Sequence, residues 1–356
     1  MTNEENLKED DFENATKGIG LVKDIAFKAI LFLILAGTLY YFLSKKFVHI
    51  IGETQGTTYT VKAYVPRMVR HDVLKKNITA RLDAITKSMS TYEESSEISK
   101  FNRNTTIEPI SISSDFYNVL LAAQKIYTLT EGAWDGTLYP LVRLWGFDSV
   151  PITTLPNSKW IQKEKSLIGF NKIEILSMDK IKKRTPNVML DLNSIAPGYT
   201  VDALAELLKK AGIRDFLIEL GGEVTASGQK RWRKPWRVGI NSPDSSAKPT
   251  DVYKMLTLKN VSLATSGDYR NFTQINGKRY SHILDPRSGW PINNGIISVS
   301  ILADTCVLAD GLATGIMVLG VEKGLALLEK LDHIDGLILV RDEKGEMKEY
   351  RSAFFP

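Results

Sequence analysis

The sequence predicts an α+β protein, with mixed β-sheets and packed helices in one large domain behind a single N-terminal transmembrane helix. Three observations lead to this reading. Ile25–Leu43, IAFKAILFLILAGTLYYFL, is an apolar run of 19 residues with one lysine, Lys28. As a helix it is long enough to cross a hydrocarbon core of about 30 Å. Beyond it, alternating β-branched runs and apolar residues at helical spacing interleave, with no internal repeat. Finally, Tyr280–Gly320 passes from a polar loop through an alternating strand into a nearly apolar helix that carries one carboxylate, Asp310.

Residues 1–23 are polar and acidic and read as a flexible tail. The anchor is placed at 24–44, a linker at 45–52 and the domain at 53–356. Tyr40 and Tyr41 stand where an interfacial aromatic belt belongs, and Lys45 and Lys46 follow. A cleaved signal peptide and a buried core helix are the competing readings. The long acidic start without a small-x-small cleavage site favours a retained anchor, and nothing later requires so apolar a core helix. Lysines flank both ends of the span, so charge alone does not decide which side the domain faces.

Within the domain, Thr57–Tyr64 alternates as a strand. Val73–Met89 places Leu74, Ile78, Leu82, Ile85 and Met89 on one helical face. A Ser- and Glu-rich loop leads into a short helix beginning near Ser95, and Asp115–Thr130 is a second amphipathic helix. Residues 131–147 crowd glycines and aromatics, which suits either a plain aromatic core cluster or a binding surface. Residues 149–187 read as peripheral, with a helix near Asn157–Ile168. Val188–Leu192 reads as a short strand leading through NSIAPGYTVD into a helix over Val201–Ala211. Such strand-to-helix turns expose backbone groups that bind phosphates or ions, although the pattern alone is common. Phe216–Leu220, Trp236–Asn241 and Lys254–Leu258 read as strands, and VSLATSGDYRNF as a polar loop. Ile296–Leu302 is a strand, and Asp304 and Thr305 offer capping side chains to the helix that runs to Leu319.

In that last helix Asp310 and Thr314 are four residues apart and share a face. Gly311 and Gly315, also four apart, would let another backbone approach. A carboxylate in so apolar a helix calls for a partner. The partner is either a hard cation such as magnesium, which takes oxygen ligands, or an arginine at the helix end.

Composition narrows the remaining classes. A net charge of +5 on mixed acidic and basic residues excludes a nucleic-acid stripe. The single cysteine, Cys306, excludes an internal disulfide or a cysteine metal cluster and points to buried packing. Four histidines leave little room for a His-rich metal centre.

Eight blocks in order then carry a resemblance: QGTTY at 55–59, STYEESSEISKFN at 90–102, GAWDGTLYPLVRLWGF at 132–147, LDLNSIAPGYTVD at 190–202, ELGGEV at 219–224, ATSGDYRNF at 264–272, SHILDPRSGWP at 281–291 and ADGLATGIMVLG at 309–320. Together they resemble the ApbE family of FAD:protein FMN transferases over nearly the whole soluble part. The resemblance implies an ApbE-like α+β fold around a central FAD cleft. It also implies Mg2+-dependent transfer of FMN from FAD to a Thr or Ser hydroxyl of an acceptor flavoprotein, leaving a phosphoester and releasing AMP. By resemblance Asp310 and Thr314 match metal-binding side chains, and Ser194 a carbonyl donor to the same ion. Tyr92, Ala133, Trp134, Asp135, Asp191 and Leu284 match FAD contacts, and His282 the histidine needed for transfer. Two positions depart. Gln55 stands where a methionine is usual, and Pro197 where a lysine is usual, so FAD contacts at both are altered.

The implied partners are acceptor subunits of a membrane redox complex of the sodium-pumping NADH:quinone oxidoreductase or Rnf type. The implied place is the bacterial inner membrane, single-pass, with the catalytic domain in the periplasm. An FAD pyrophosphatase giving FMN and AMP, and a non-catalytic flavin-binding protein, are the alternatives.

Overall fold

The computed structural model describes residues 24–39, 44–148, 152–230, 233–244, 248, 251–268 and 272–356. Helix α1, residues 24–39, is exposed along its whole length. The rest of the expected span, residues 40–43, and the tail of residues 1–23 lie outside the described residues. Among the described residues no helix is long and apolar enough to cross a membrane.

The other helices, in chain order, are α2 (His71–Met89), α3 (Glu97–Arg103), α4 (Ser114–Leu129), α5 (Tyr139–Leu144), α6 (Ser158–Lys165), α7 (Ala196–Lys210), α8 (Cys306–Leu319) and α9 (Val321–Leu328). The strands begin with β1 (Lys45–Thr54), β2 (Thr57–Pro66), β3 (Ile110–Ser111), β4 (Ile173–Ser177), β5 (Lys180–Lys183), β6 (Asp215–Leu220), β7 (Glu223–Ser227), β8 (Trp236–Asn241) and β9 (Val252–Leu258). They continue with β10 (Val261–Gly267), β11 (Phe272–Ile275), β12 (Lys278–Ser281), β13 (Leu284–Asp285), β14 (Trp290–Pro291), β15 (Ile296–Ala303), β16 (Asp335–Arg341) and β17 (Met347–Arg351).

An eight-stranded sheet in the order β1-β2-β6-β7-β10-β15-β16-β17 forms the centre. Mixed sheets were expected, but every pairing within it is antiparallel, because hairpins supply β1–β2, β6–β7 and β16–β17. On one face Val61, Ala63, Phe216 and Ile218 meet Leu74 and Ile78 of α2 and Leu204 and Leu208 of α7. Farther along that face Leu312 and Ile316 of α8 pack on Val299 and Ile301 of β15. The opposite face, with Leu217, Val224, Leu263 and Leu302, is closed by the β8–β9 hairpin through Trp236, Ile240 and Leu256. An outer cluster of Phe101, Phe116, Ile126 and Trp134 covers the helices.

Four local expectations change. Residues 45–52, read as a linker, lie in β1, paired with β2 from Lys45 opposite Pro66 to Thr54 opposite Thr57. Val188–Leu192 joins no sheet. Its ladder partner is a side chain instead: Asn102 Nδ2 donates to the Leu190 carbonyl at 2.8 Å and Asn102 Oδ1 accepts from the Leu190 amide at 2.7 Å. The stretch read as a polar loop contains β10, a strand inside the central sheet. Its hydroxyls are satisfied across the ladder and against α8, with Thr225 to Ser262 at 2.8 Å, Thr265 to Ser300 at 2.8 Å and Ser266 to Thr314 at 2.9 Å. The helix expected at 201–211 begins at Ala196, with Pro197 in its first turn, where a missing amide costs nothing.

Val48 and Ile50 bury their side chains from β1 into the core under α2. A chain starting at Ser44 should therefore fold as the parent does, whereas one starting at Glu53 should lose about 3 kcal/mol or more in urea unfolding. Equal stability of the two truncations would show that β1 is dispensable.

Candidate active site

The floor of the site is set where α7 meets α8. Gly198, in the first turn of α7, lies so close that a Cβ there would stand 2.7 Å from the Cys306 carbonyl, 2.8 Å from Val307 Cα and 2.9 Å from Asp310 Cβ. Its amide donates to Asp310 Oδ2 at 3.1 Å. Asp202, one turn on, accepts from the Cys306 and Val307 amides at 2.8 and 2.9 Å. That carboxylate caps α8. Thr305 occupies the N-cap position, but its side chain makes no capping bond. The small residues Gly311 and Gly315 admit the side chains of Ile126 and Thr130 from α4, not a second backbone.

Above this floor lies a cavity of about 890 Å3, within the range of small-molecule sites. Eleven of the twelve residues expected to act line it. Asp310 and Thr314 come from α8, and Ser194 and Pro197 from the turn into α7. Trp134 Nε1 donates to Ser194 Oγ at 2.9 Å, which locks the 133–135 turn to the 191–194 turn. Asp191 lines the cavity beside them, its carboxylate accepting from the Asn193 amide at 2.9 Å. Tyr92 stands at the mouth, 72% exposed. His282 and Leu284 close the far wall between β12 and β14.

Two placements differ from expectation. Gln55 does not line the cavity. It sits in the β1–β2 turn at φ 50°, and its Nε2 donates to Thr200 Oγ1 of α7 at 2.9 Å. Asp135 does line it, but its carboxylate is engaged in the fold. Oδ1 accepts from Thr137 N and Oγ1 at 2.8 and 2.5 Å, and Oδ2 from the Phe170 amide at 3.2 Å.

The lining holds the carboxylates of Asp135, Asp191, Glu223 and Asp310 and, among the described residues, no lysine or arginine. Burial pushes the Asp310 carboxyl well above the usual range. The Glu223 charge adds to this, and the Gly198 amide opposes it. Burial likewise pushes Glu223 up to about 7 and Asp202 up to about 6. Among the described residues no three His, Cys, Asp or Glu side chains are grouped to hold a metal ion by themselves. One carboxylate oxygen of Asp310, the Thr314 hydroxyl and the Ser194 carbonyl are nevertheless hard oxygen donors. They fit a cation that completes its shell with substrate oxygens or water.

Sequence reasoning missed Asp202 and the role of Gly198, since both look like ordinary helix positions. It also missed the wall beside His282. There the Arg279 guanidinium lies 3.7 Å from the Asp268 carboxylate and 4.2 Å over the Phe272 ring, and it donates to the Asp268 carbonyl. Burial pushes the Asp268 carboxyl up, and the charges of Arg279 and His282 oppose this. The carboxylate, aromatic and cation spaced along Asp268, Phe272 and Arg279 in the sequence were the available signal.

The site is a cleft of small-molecule size with carboxylate and hydroxyl groups at its floor. The sequence model of the ApbE family matches residues 55–338. The chain is 39% identical over 312 residues to the FAD:protein FMN transferase of Vibrio cholerae serotype O1, covering 86% of this chain and 91% of that protein. The solved Flavin Transferase ApbE from Vibrio cholerae superposes with a TM-score of 0.79 at 37% identity, over 87% of this chain and 98% of that one. The apo Pseudomonas stutzeri flavinyl transferase ApbE gives a TM-score of 0.79 at 34% identity, over 87% and 96%. The chain belongs to the ApbE family.

Asp202 supplies a check on the floor. Folded, it keeps its proton to about pH 6; unfolded, to about pH 4. The folded state binds more protons in that window, so the contribution is fully present below about pH 4 and is lost as pH rises through 6. In EDTA, Asp202→Asn should therefore gain stability relative to the parent between pH 4 and 6, read by urea unfolding. A difference that is flat with pH would contradict the buried placement.

Proposed function

We propose that this protein is a Mg2+-dependent FAD:protein FMN transferase that moves the FMN half of FAD onto a threonine or serine hydroxyl of an acceptor flavoprotein. The observation that carries the reading is the convergence of Asp310, Thr314 and His282 on one cavity. A pyrophosphate entering beside the carboxylates of Asp310 and Glu223 calls for a cation between them. Asp310, Thr314 and the Ser194 carbonyl would hold magnesium. When bound, that ion supplies charge neutralisation at the phosphate oxygens.

The chain's own residues do the rest. The mouth residue Tyr92 and the 133–135 turn offer apolar surface to the ring systems, and Asp191 a carboxylate acceptor. His282 takes the proton of the acceptor hydroxyl as its oxygen bonds to the FMN phosphorus. The bond from that phosphorus to the bridging oxygen breaks, and AMP leaves with that oxygen. The relatives' shared name supports the same reaction. The apolar run of residues 25–43 supports a tether in the bacterial inner membrane, and the family resemblance a domain in the periplasm. Acceptors are then subunits of sodium-pumping NADH:quinone oxidoreductase or Rnf-type complexes.

The test separates chemistry from binding. His282→Ala should bind FAD nearly as the parent does, while single-turnover transfer from pre-bound FAD falls about a hundredfold or more. The readout is the mass gain and in-gel fluorescence of covalent FMN. An unchanged single-turnover rate would remove His282 from the reaction. AMP release at full rate without any acceptor would make hydrolysis of FAD the activity instead.

A further inference from the structure

We propose that Glu223 is the second carboxylate of the cation site centred on Asp310, so that one divalent ion is held between the start of β7 and α8. The proposal deepens the metal-dependent reading above and rests on it.

Glu223 opens β7 immediately after the Gly221-Gly222 turn and lines the same cavity as Asp310 and Thr314. It is 9% exposed and Asp310 is 6% exposed. Among the described residues no side-chain donor meets the Glu223 carboxylate, and no cationic side chain acts on either group. Other buried or half-buried carboxylates in this fold have hydrogen-bond donors on them. Asp115 takes a two-pronged bond from Arg81 at 2.5 and 2.6 Å and a third from the Tyr199 hydroxyl at 2.6 Å. Asp135, Asp191 and Asp202 are matched by backbone amides or a hydroxyl of other residues, whereas among the described residues the Glu223 carboxylate is met only by the amide of its own residue.

Two buried carboxylates that line one cavity and act on each other electrostatically lose hydration and repel, and a shared proton or a cation relieves both costs. The local geometry leaves room for the cation. Asp310 spends one oxygen on the Gly198 amide, which leaves the other for an ion. Glu223 has no side-chain bond to give up. Gly221, at φ 65°, keeps the space beside it clear, since a Cβ there would stand 3.3 Å from Glu223 Oε2. Magnesium sites that serve phosphate substrates use one or two carboxylates and leave the remaining positions to water and phosphate oxygens. With two, the charge of the ion is balanced before the nucleotide arrives. The pyrophosphate then meets a neutral floor.

The experiment uses the full-length protein in detergent, with Mn2+ as a paramagnetic probe followed by EPR. The parent should bind Mn2+. Glu223→Gln should weaken that binding by at least about tenfold, the lower end of what losing even an outer-shell partner costs. Asp310→Asn is the control and should weaken it as well. Melting in EDTA gives a second readout. Removing one of two repelling charges should leave Glu223→Gln as stable as the parent or more so, while the rise in Tm caused by Mn2+ should shrink. If Glu223→Gln binds Mn2+ as tightly as the parent while Asp310→Asn does not, Glu223 is outside the site and the Asp310 reading stands. A Glu223→Gln variant that melts lower in EDTA with unchanged Mn2+ affinity gives Glu223 a purely structural role. A parent that binds no Mn2+, with or without FAD, overturns the metal reading and this proposal together.

Discussion

The contact between the first turn of α7 and the first two turns of α8 is the constraint on which the site depends. Only a residue without a Cβ fits at Gly198, because three atoms of α8 lie within 2.9 Å of where one would be. That closeness lets one helix serve the other twice. The Gly198 amide reaches Asp310, and the Asp202 carboxylate closes the open amides at the start of α8. Because α8 also lies flat on β10 and β15, the Asp310–Thr314 face is held against the middle of the sheet and cannot shift without moving the core. Cys306, buried at this junction with its thiol pushed well above the usual range, is inert packing.

The cleft above that junction is built from turns, and their side-chain bonds turn loop sequence into fixed geometry. Trp134 is tied to Ser194, Asn102 to the backbone of Leu190, and Asp135 to Thr137 and Phe170. Under the proposed activity the arrangement separates two tasks. The rigid junction positions the charged end of the ligand, and the mouth around Tyr92 accepts its rings.

Much of this was legible wherever burial follows a simple period. The spacing of Leu74, Ile78 and Leu82 marked α2, and the alternation of Ile296–Leu302 marked β15. The i,i+4 placement of Asp310 and Thr314 was readable for the same reason, since a lone carboxylate in an apolar helix has few ways to be satisfied. β10 was not legible, because its serines and threonines look solvated until their partners on β7, β15 and α8 are in place. Val188–Leu192 reads as a strand because it is apolar and buried, but the amide and carbonyl of Leu190 bond to the side chain of Asn102 and the Asp191 amide to the Gly136 carbonyl. Gln55 was assigned to the ligand by position in a motif, and its side chain turned instead to Thr200. Residues whose role is to hold another element, such as Gly198 and Asp202, carry no local pattern at all.

The central claim is that Asp310 and Thr314 form the floor of a cation site that receives the FAD pyrophosphate. Anomalous diffraction from crystals grown with Mn2+ and FAD tests it most directly. The account predicts a manganese peak within about 2.1 Å of an Asp310 carboxylate oxygen and of the Thr314 hydroxyl, with phosphate oxygens completing the shell. FAD bound in the cleft with no manganese peak at Asp310 would contradict it.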